Sequence, residues 1–154
     1  EVPLVVPFAW IMMAHPVLTA ARRIAGNWVF LYGGVALAAW DLFLDPLMVA
    51  QGNWTWVVTG AHVPFQPEIP LSNTFGWLLS GMFLIGVLHV ITPREKRKGG
   101  ATFVTTDTFL LWTLFSGFVG NLFFFSRPGV AFFAGGIFGI VLAPYFFNRW
   151  LGRP

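Results

Sequence analysis

Apolar runs of about twenty residues, parted by short segments that hold nearly all of the charge, decide the fold before any motif does. A run of about 20 apolar residues crosses a hydrocarbon core of about 30 Å as an α-helix. Lipid tolerates only a backbone whose polar groups are satisfied internally. The runs fall at about 2–20, 28–50, 73–91, 108–125 and 130–147. The expected architecture is all-α: a polytopic transmembrane helix bundle of about five spans, in a single transmembrane domain over 1–154. Only 10% of the residues are Asp, Glu, Lys or Arg, where a soluble domain has about 25%.

The charges report orientation. If successive loops alternate sides, one side receives Arg22, Arg23, Arg94, Lys96, Arg97, Lys98, Arg149 and Arg153, and the other receives only Arg127. That bias predicts a protein of the cell membrane with its N-terminus outside and its C-terminus cytoplasmic. The same distribution removes nucleic acid as a partner, although a sequence pI of about 10.0 would suggest one in a soluble protein. The basic loop 94–98 reads as a topology signal, with anionic lipid as a second contact. There is no cysteine, so no disulfide or thiolate site exists. No basic start leads into a short apolar core, so no signal peptide is read. With Glu1 in first place, the chain is read as part of a longer protein.

The second run contains Asp41 and Asp45, with Pro46 directly after. A carboxylate at bilayer depth costs about 2.5–3.5 kcal/mol on insertion scales, so such residues face a cavity and carry function. Residues four apart share a helix face, and Asp45 lies about 6 Å beyond Asp41 along the axis. Proline removes a donor and displaces the carbonyl four residues back, so a kink and a free Leu42 C=O are expected. Two acids this close in a low-dielectric pocket hold one proton between them and titrate as a unit. That supplies a general acid and a general base together. A protonated carboxyl there can protonate even a carbon–carbon double bond, with the cation stabilised by the other carboxylate and by aromatic faces. The plain alternative is structural: Asp41 bonding a neighbouring helix and Asp45 capping the break at Pro46.

Elsewhere, Pro16 is expected to bend or end the first helix, with His15 before it near the loop side. Trp54 and Trp56 mark an interface. Residues 57–72 form a loop lying on the membrane or folding back over the site. Ser72 and Asn73 offer an N-cap for the third helix, whose small faces carry Gly76, Ser80, Gly81 and Gly86. Asp107 is placed in a loop, and Asn121 inside the fourth span. His15, His62 and His89 are scattered, with no His-x-x-x-His or Glu-x-x-His spacing, so no metal centre built on histidine is expected.

The stretch Ala39–Pro46, with Met48, Val49 and Gly52–Trp56, resembles the signature of the integral-membrane carotenoid biosynthesis proteins. This family includes bisanhydrobacterioruberin hydratases and γ-carotene hydroxylating hydratases. Ile69–Asn73 with Gly76 and Trp77 resembles its second block, and the segment from Val2 through His15-Pro16 resembles its earlier helix. At His15 the family has an aromatic, so no catalytic role is carried over there. The resemblance covers nearly the whole chain, and family members are longer, with further helices ahead of it. It implies a hydratase (a hydro-lyase) that adds water to the terminal isoprene double bond of an acyclic carotenoid end, with no cofactor. Asp41 and Asp45 would be catalytic. Trp40, Asn73, Trp77 and Asn121 are candidates for positioning water or lining the substrate pocket. The partners implied are the polyene, the lipid bilayer and other carotenoid enzymes.

Two rival readings stand beside this one. Aspartate-rich intramembrane prenyltransferases hold magnesium diphosphate through several carboxylate oxygens, and this chain has one such motif. A proton-coupled carrier or a non-enzymatic scaffold would also use intramembrane acids, though no inverted repeat is seen.

Overall fold

The computed structural model describes residues 5–93 and 101–152. Its helices are α1 Val5–Ile24, α2 Val29–Ala50, α3 Leu71–Ile91, α4 Ala101–Val119 and α5 Pro128–Trp150. A 3-10 turn, Gly26–Trp28, leads into α2, and α4 runs on as a π-helical turn, Gly120–Phe124. Between α2 and α3, strands β1 His62–Val63 and β2 Gln66–Pro70 pair antiparallel, with His62 opposite Pro70 and Val63 opposite Gln66. Four helical stretches, Gly26–Ala50, Leu71–Ile91, Phe103–Phe124 and Pro128–Trp150, are long and apolar enough to cross a membrane. The basic loop 94–98 lies outside the described residues.

α2 is the central helix. Apart from Asp41 and Asp45 it is apolar, most of its length is buried, and it packs against α1, α3 and α5. Ala36 through Phe43 are all buried. The outer helices instead turn Phe83, Phe115, Phe123 and Ile140 outward. Such a surface suits lipid and would form an unusually large apolar patch on a soluble protein.

Side-chain contacts sort the helix ends into two groups. At one end, Arg22 donates to the carbonyls of His89 and Thr92 at 2.9 and 2.8 Å, satisfying acceptors that the last turn of α3 leaves open. Arg23 and Arg149 both lie over the Phe103 ring, at 5.0 and 5.3 Å. At the other end, Arg127 pairs with Glu68 of the hairpin, and Phe65 packs on Phe133. Arg22, Arg23 and Arg149 thus share one end and Arg127 the other, the grouping that the loop count predicts. Trp10 on Trp77 and Arg22 on Thr92 show α1 running parallel to α3.

Three expectations are corrected. Of the two outcomes expected at Pro16, a bend or an end, the end is excluded: α1 continues through it to Ile24 and takes Arg22 and Arg23 into its last turn. Asp107 is in α4 rather than a loop. It accepts from the Tyr145 hydroxyl at 2.6 Å and lies 3.3 Å from Arg149 Nε. Ser72 and Asn73 do not cap α3. The helix begins at Leu71 behind Pro70, whose ψ of 140° already sets the extended geometry of a cap.

Candidate functional site

The site is built where the hairpin folds back onto α2. Asp41 and Asp45 emerge on one face, as their spacing requires, and each is 1% exposed. Asn73, in the first turn of α3, joins them. Its Nδ2 donates to Asp41 Oδ2 at 3.1 Å and to Asp45 Oδ2 at 2.5 Å. One amide nitrogen carries two hydrogens, so one serves each carboxyl. The rejected cap residue is therefore the bridge of the site.

Two further donors come from the segment after α2. The indole Nε1 groups of Trp54 and Trp56 donate to Asp45 Oδ1 at 2.7 and 3.1 Å. Gly52 turns the chain with a φ of 73°, a conformation glycine adopts without strain. Beyond it the chain leaves the helix, and residues two apart in non-helical chain can present the same side. The sequence marks these tryptophans as interface anchors and as part of the stretch that carries the family resemblance, without tying them to the acids. Their signal was the two-residue spacing together with an obligate donor on each ring.

Gln66 is the second missed residue. Its Nε2 donates to the Leu42 carbonyl at 2.9 Å, and the residue is fully buried. Leu42 C=O is the acceptor that Pro46 leaves without its usual helical donor. The free carbonyl was legible, and its partner, 24 residues on, was not. This bond pins the hairpin to α2 directly beside the acids. Gln66→Leu is expected to destabilise the protein by about 1–3 kcal/mol, since it strands a buried carbonyl. The loss falls toward the lower figure because Gln66 Oε1 is itself buried without a partner. A lowered unfolding midpoint in detergent would check this.

The other candidates are placed as follows. Trp77 lies one turn beyond Asn73 on the same face of α3. It stacks on Trp10 with ring centroids 4.2 Å apart and packs T-shaped with Trp40 at 5.8 Å. Trp40, buried next to Asp41, thus belongs to an aromatic cluster beside the acids rather than to their hydrogen bonds. Asn121 is not brought to the pair through any hydrogen bond. Its Nδ2 donates to the Gly117 carbonyl of its own helix at 2.9 Å, and its Oδ1 is buried without a partner among the described residues. His15 is exposed. A cavity of about 660 Å3, lined by Phe30, Met82, Gly86 and Val90, opens between α2 and α3 at the opposite end from the acids.

The groups that converge on Asp45 are hydrogen-bond donors. Three N–H groups point at Asp45, and a divalent cation would have to displace them. Among the described residues no three His, Asp or Glu side chains converge as a metal ligand set would. What the arrangement offers is two carboxyls joined by one amide, with aromatic surface next to them, both buried from solvent.

A family model described as carotenoid biosynthesis protein matches residues 1–142. No curated protein and no solved structure matches the chain.

Proposed function

The chain belongs to the carotenoid biosynthesis protein family, and from that premise we propose that it hydrates the terminal isoprene double bond of an acyclic carotenoid end. The observation that carries this reading is the sealed carboxyl pair on one amide bridge. Protonation of an alkene needs a strong acid at the reacting carbon and a site that keeps bulk water from levelling it. A carboxyl proton moves to the less substituted alkene carbon, and the π electrons form the new C–H bond. The tertiary cation that results is stabilised by the remaining carboxylate and captured by water, giving a tertiary alcohol. No electron leaves the substrate, so the reaction balances without a redox cofactor.

In this reading α1 is a fifth span, the end bearing Arg22, Arg23 and Arg149 is cytoplasmic, and the acids lie in the outer half of the cell membrane. The polyene lies among the acyl chains and reaches the acids sideways, between helices. Trp40, next to Asp41 in α2, supplies aromatic surface for the cation, and Trp77, packed between Trp10 and Trp40, holds that ring in place.

The test is co-expression with an acyclic carotenoid pathway, followed by mass analysis of the pigments. A pigment heavier by one water is expected, and it should persist in membranes treated with a chelator. An unchanged pigment profile from protein that is present and folded would overturn the assignment. Loss of activity on chelation would favour the magnesium reading instead.

A further inference from the structure

We propose that Asp41 carries the transferable proton and that Asp45 is the resident carboxylate, kept charged by Trp54, Trp56 and Asn73. The assignment deepens the hydratase reading and rests on it for its chemical meaning. It describes a state that exists before any substrate arrives.

The donors make the two acids unequal. A carboxylate has about four acceptor positions, and an indole N–H can only donate. Asp45 Oδ1 receives two indole donors, at 2.7 and 3.1 Å, and Oδ2 receives Asn73 Nδ2 at 2.5 Å. Three of its acceptor positions are filled, and none of these partners accepts a hydrogen in return. Hydrogen bonds from N–H groups to a charged carboxylate are the strong kind. A proton on Asp45 would weaken them.

Asp41 receives only the other hydrogen of Asn73, at 3.1 Å on Oδ2. Its Oδ1 is buried with no partner among the described residues. A full charge is poorly supported on a group with one donor and almost no exposure. Two charges joined across one amide would also repel in a low dielectric. The pair therefore keeps one proton, and the donors put it on Asp41. Among the described residues Glu68 of the hairpin is the other nearby acid, and Arg127 pairs with it.

The unpartnered Asp41 Oδ1 is then where the alkene meets the acid. Asp41 gives its proton to the less substituted carbon, and the π pair forms that C–H bond. Water forms the C–O bond with a lone pair. Its surplus proton goes to the one acceptor position left on Asp45 Oδ2, and then back to Asp41, which restores the starting state. Trp54 and Trp56 touch no reacting atom in this scheme and act as positioning residues.

Infrared spectroscopy of the purified protein in lipid discs, with its aspartate side-chain carboxyls isotope-labelled, tests the assignment without turnover. One protonated-carboxyl band is expected. It should vanish in Asp41→Asn and persist in Asp45→Asn and in Asp107→Asn. No band in the unsubstituted protein, or a band lost in Asp45→Asn and kept in Asp41→Asn, would overturn it, while leaving the hydratase reading to its own pigment test. Trp56 is 40% exposed, so Trp56→Phe is a mild change for the fold. It should shift the carboxyl band and slow hydration about tenfold, the loss of one hydrogen bond to a charged group. An unshifted band would show that Trp56 serves structure alone.

Discussion

Asp41→Asn is expected to reduce formation of the hydrated pigment by about 10²–10⁴-fold, the range that general acid–base groups contribute. The substitution is close to isosteric. An asparagine at this position can still accept from Asn73 through its amide oxygen, so the bridge to α3 survives. What it lacks is an acidic proton. Asp45→Asn should be as inactive but less stable. An amide nitrogen placed at its Oδ2 would face Asn73 Nδ2 at 2.5 Å, donor against donor. Rotating the amide would move that clash to Trp54 and Trp56. The two variants therefore separate chemistry from folding. The measurement is pigment yield per amount of membrane-inserted protein, with the unfolding midpoint recorded beside it. Activity retained by Asp41→Asn would remove the acid from the scheme.

The second large effect comes from packing. A Cβ at Gly34 would lie 2.3 Å from Met82 Cγ, 2.8 Å from the Leu78 carbonyl oxygen and 2.9 Å from the Met82 backbone nitrogen. The methionine side chain can move, but the α3 backbone cannot yield locally. Gly34→Ala must push α2 and α3 apart. Overpacking of this kind costs about 1–3 kcal/mol. The cost reaches function because the acids are on α2 and their bridging amide is on α3. Asn73 is about one turn from Leu78, so a parted seam draws its nitrogen off the carboxyls. Gly34→Ala should thus lower both the melting midpoint and hydration per folded molecule. Gly76→Ala is the control. Nothing lies within 4 Å of its would-be Cβ, and a change within about 0.5 kcal/mol is expected for an open surface position.

What the sequence made legible follows the range of each physical rule. Length and apolarity act along one helix, and all five helices appear where the runs lie. The shared face of Asp41 and Asp45, and the carbonyl that Pro46 frees, are also consequences of a single helix. The opposite grouping of Arg127 from Arg22, Arg23 and Arg149 follows from alternation. The failures lie where a partner comes from elsewhere in the chain. Ser72-Asn73 is a good local cap signal, but Pro70 already starts the helix and the carboxyls compete for the Asn73 amide. Pro16 is a helix breaker in water, whereas a bundle can accommodate the backbone it frees. Asp107 falls just ahead of the apolar run at about 108–125, which puts it in a loop when the run alone is read. In the fold, Tyr145 and Arg149 give it partners within the bundle. Gln66, Trp54 and Trp56 could not be assigned because no local pattern says which acceptor a distant side chain will find. Asn121 shows the reverse: a polar residue in an apolar span drew notice, yet its amide bonds its own helix.

The central claim is that a proton stored between two sealed acids is added to a carbon, followed by water. It is tested most directly by running the reaction in membranes supplied with deuterium oxide and, separately, with heavy-oxygen water. The account predicts one carbon-bound deuterium on the methylene beside the new alcohol, and a hydroxyl oxygen drawn from water. Oxygen drawn from dioxygen instead, or a product with no carbon-bound deuterium, would contradict it.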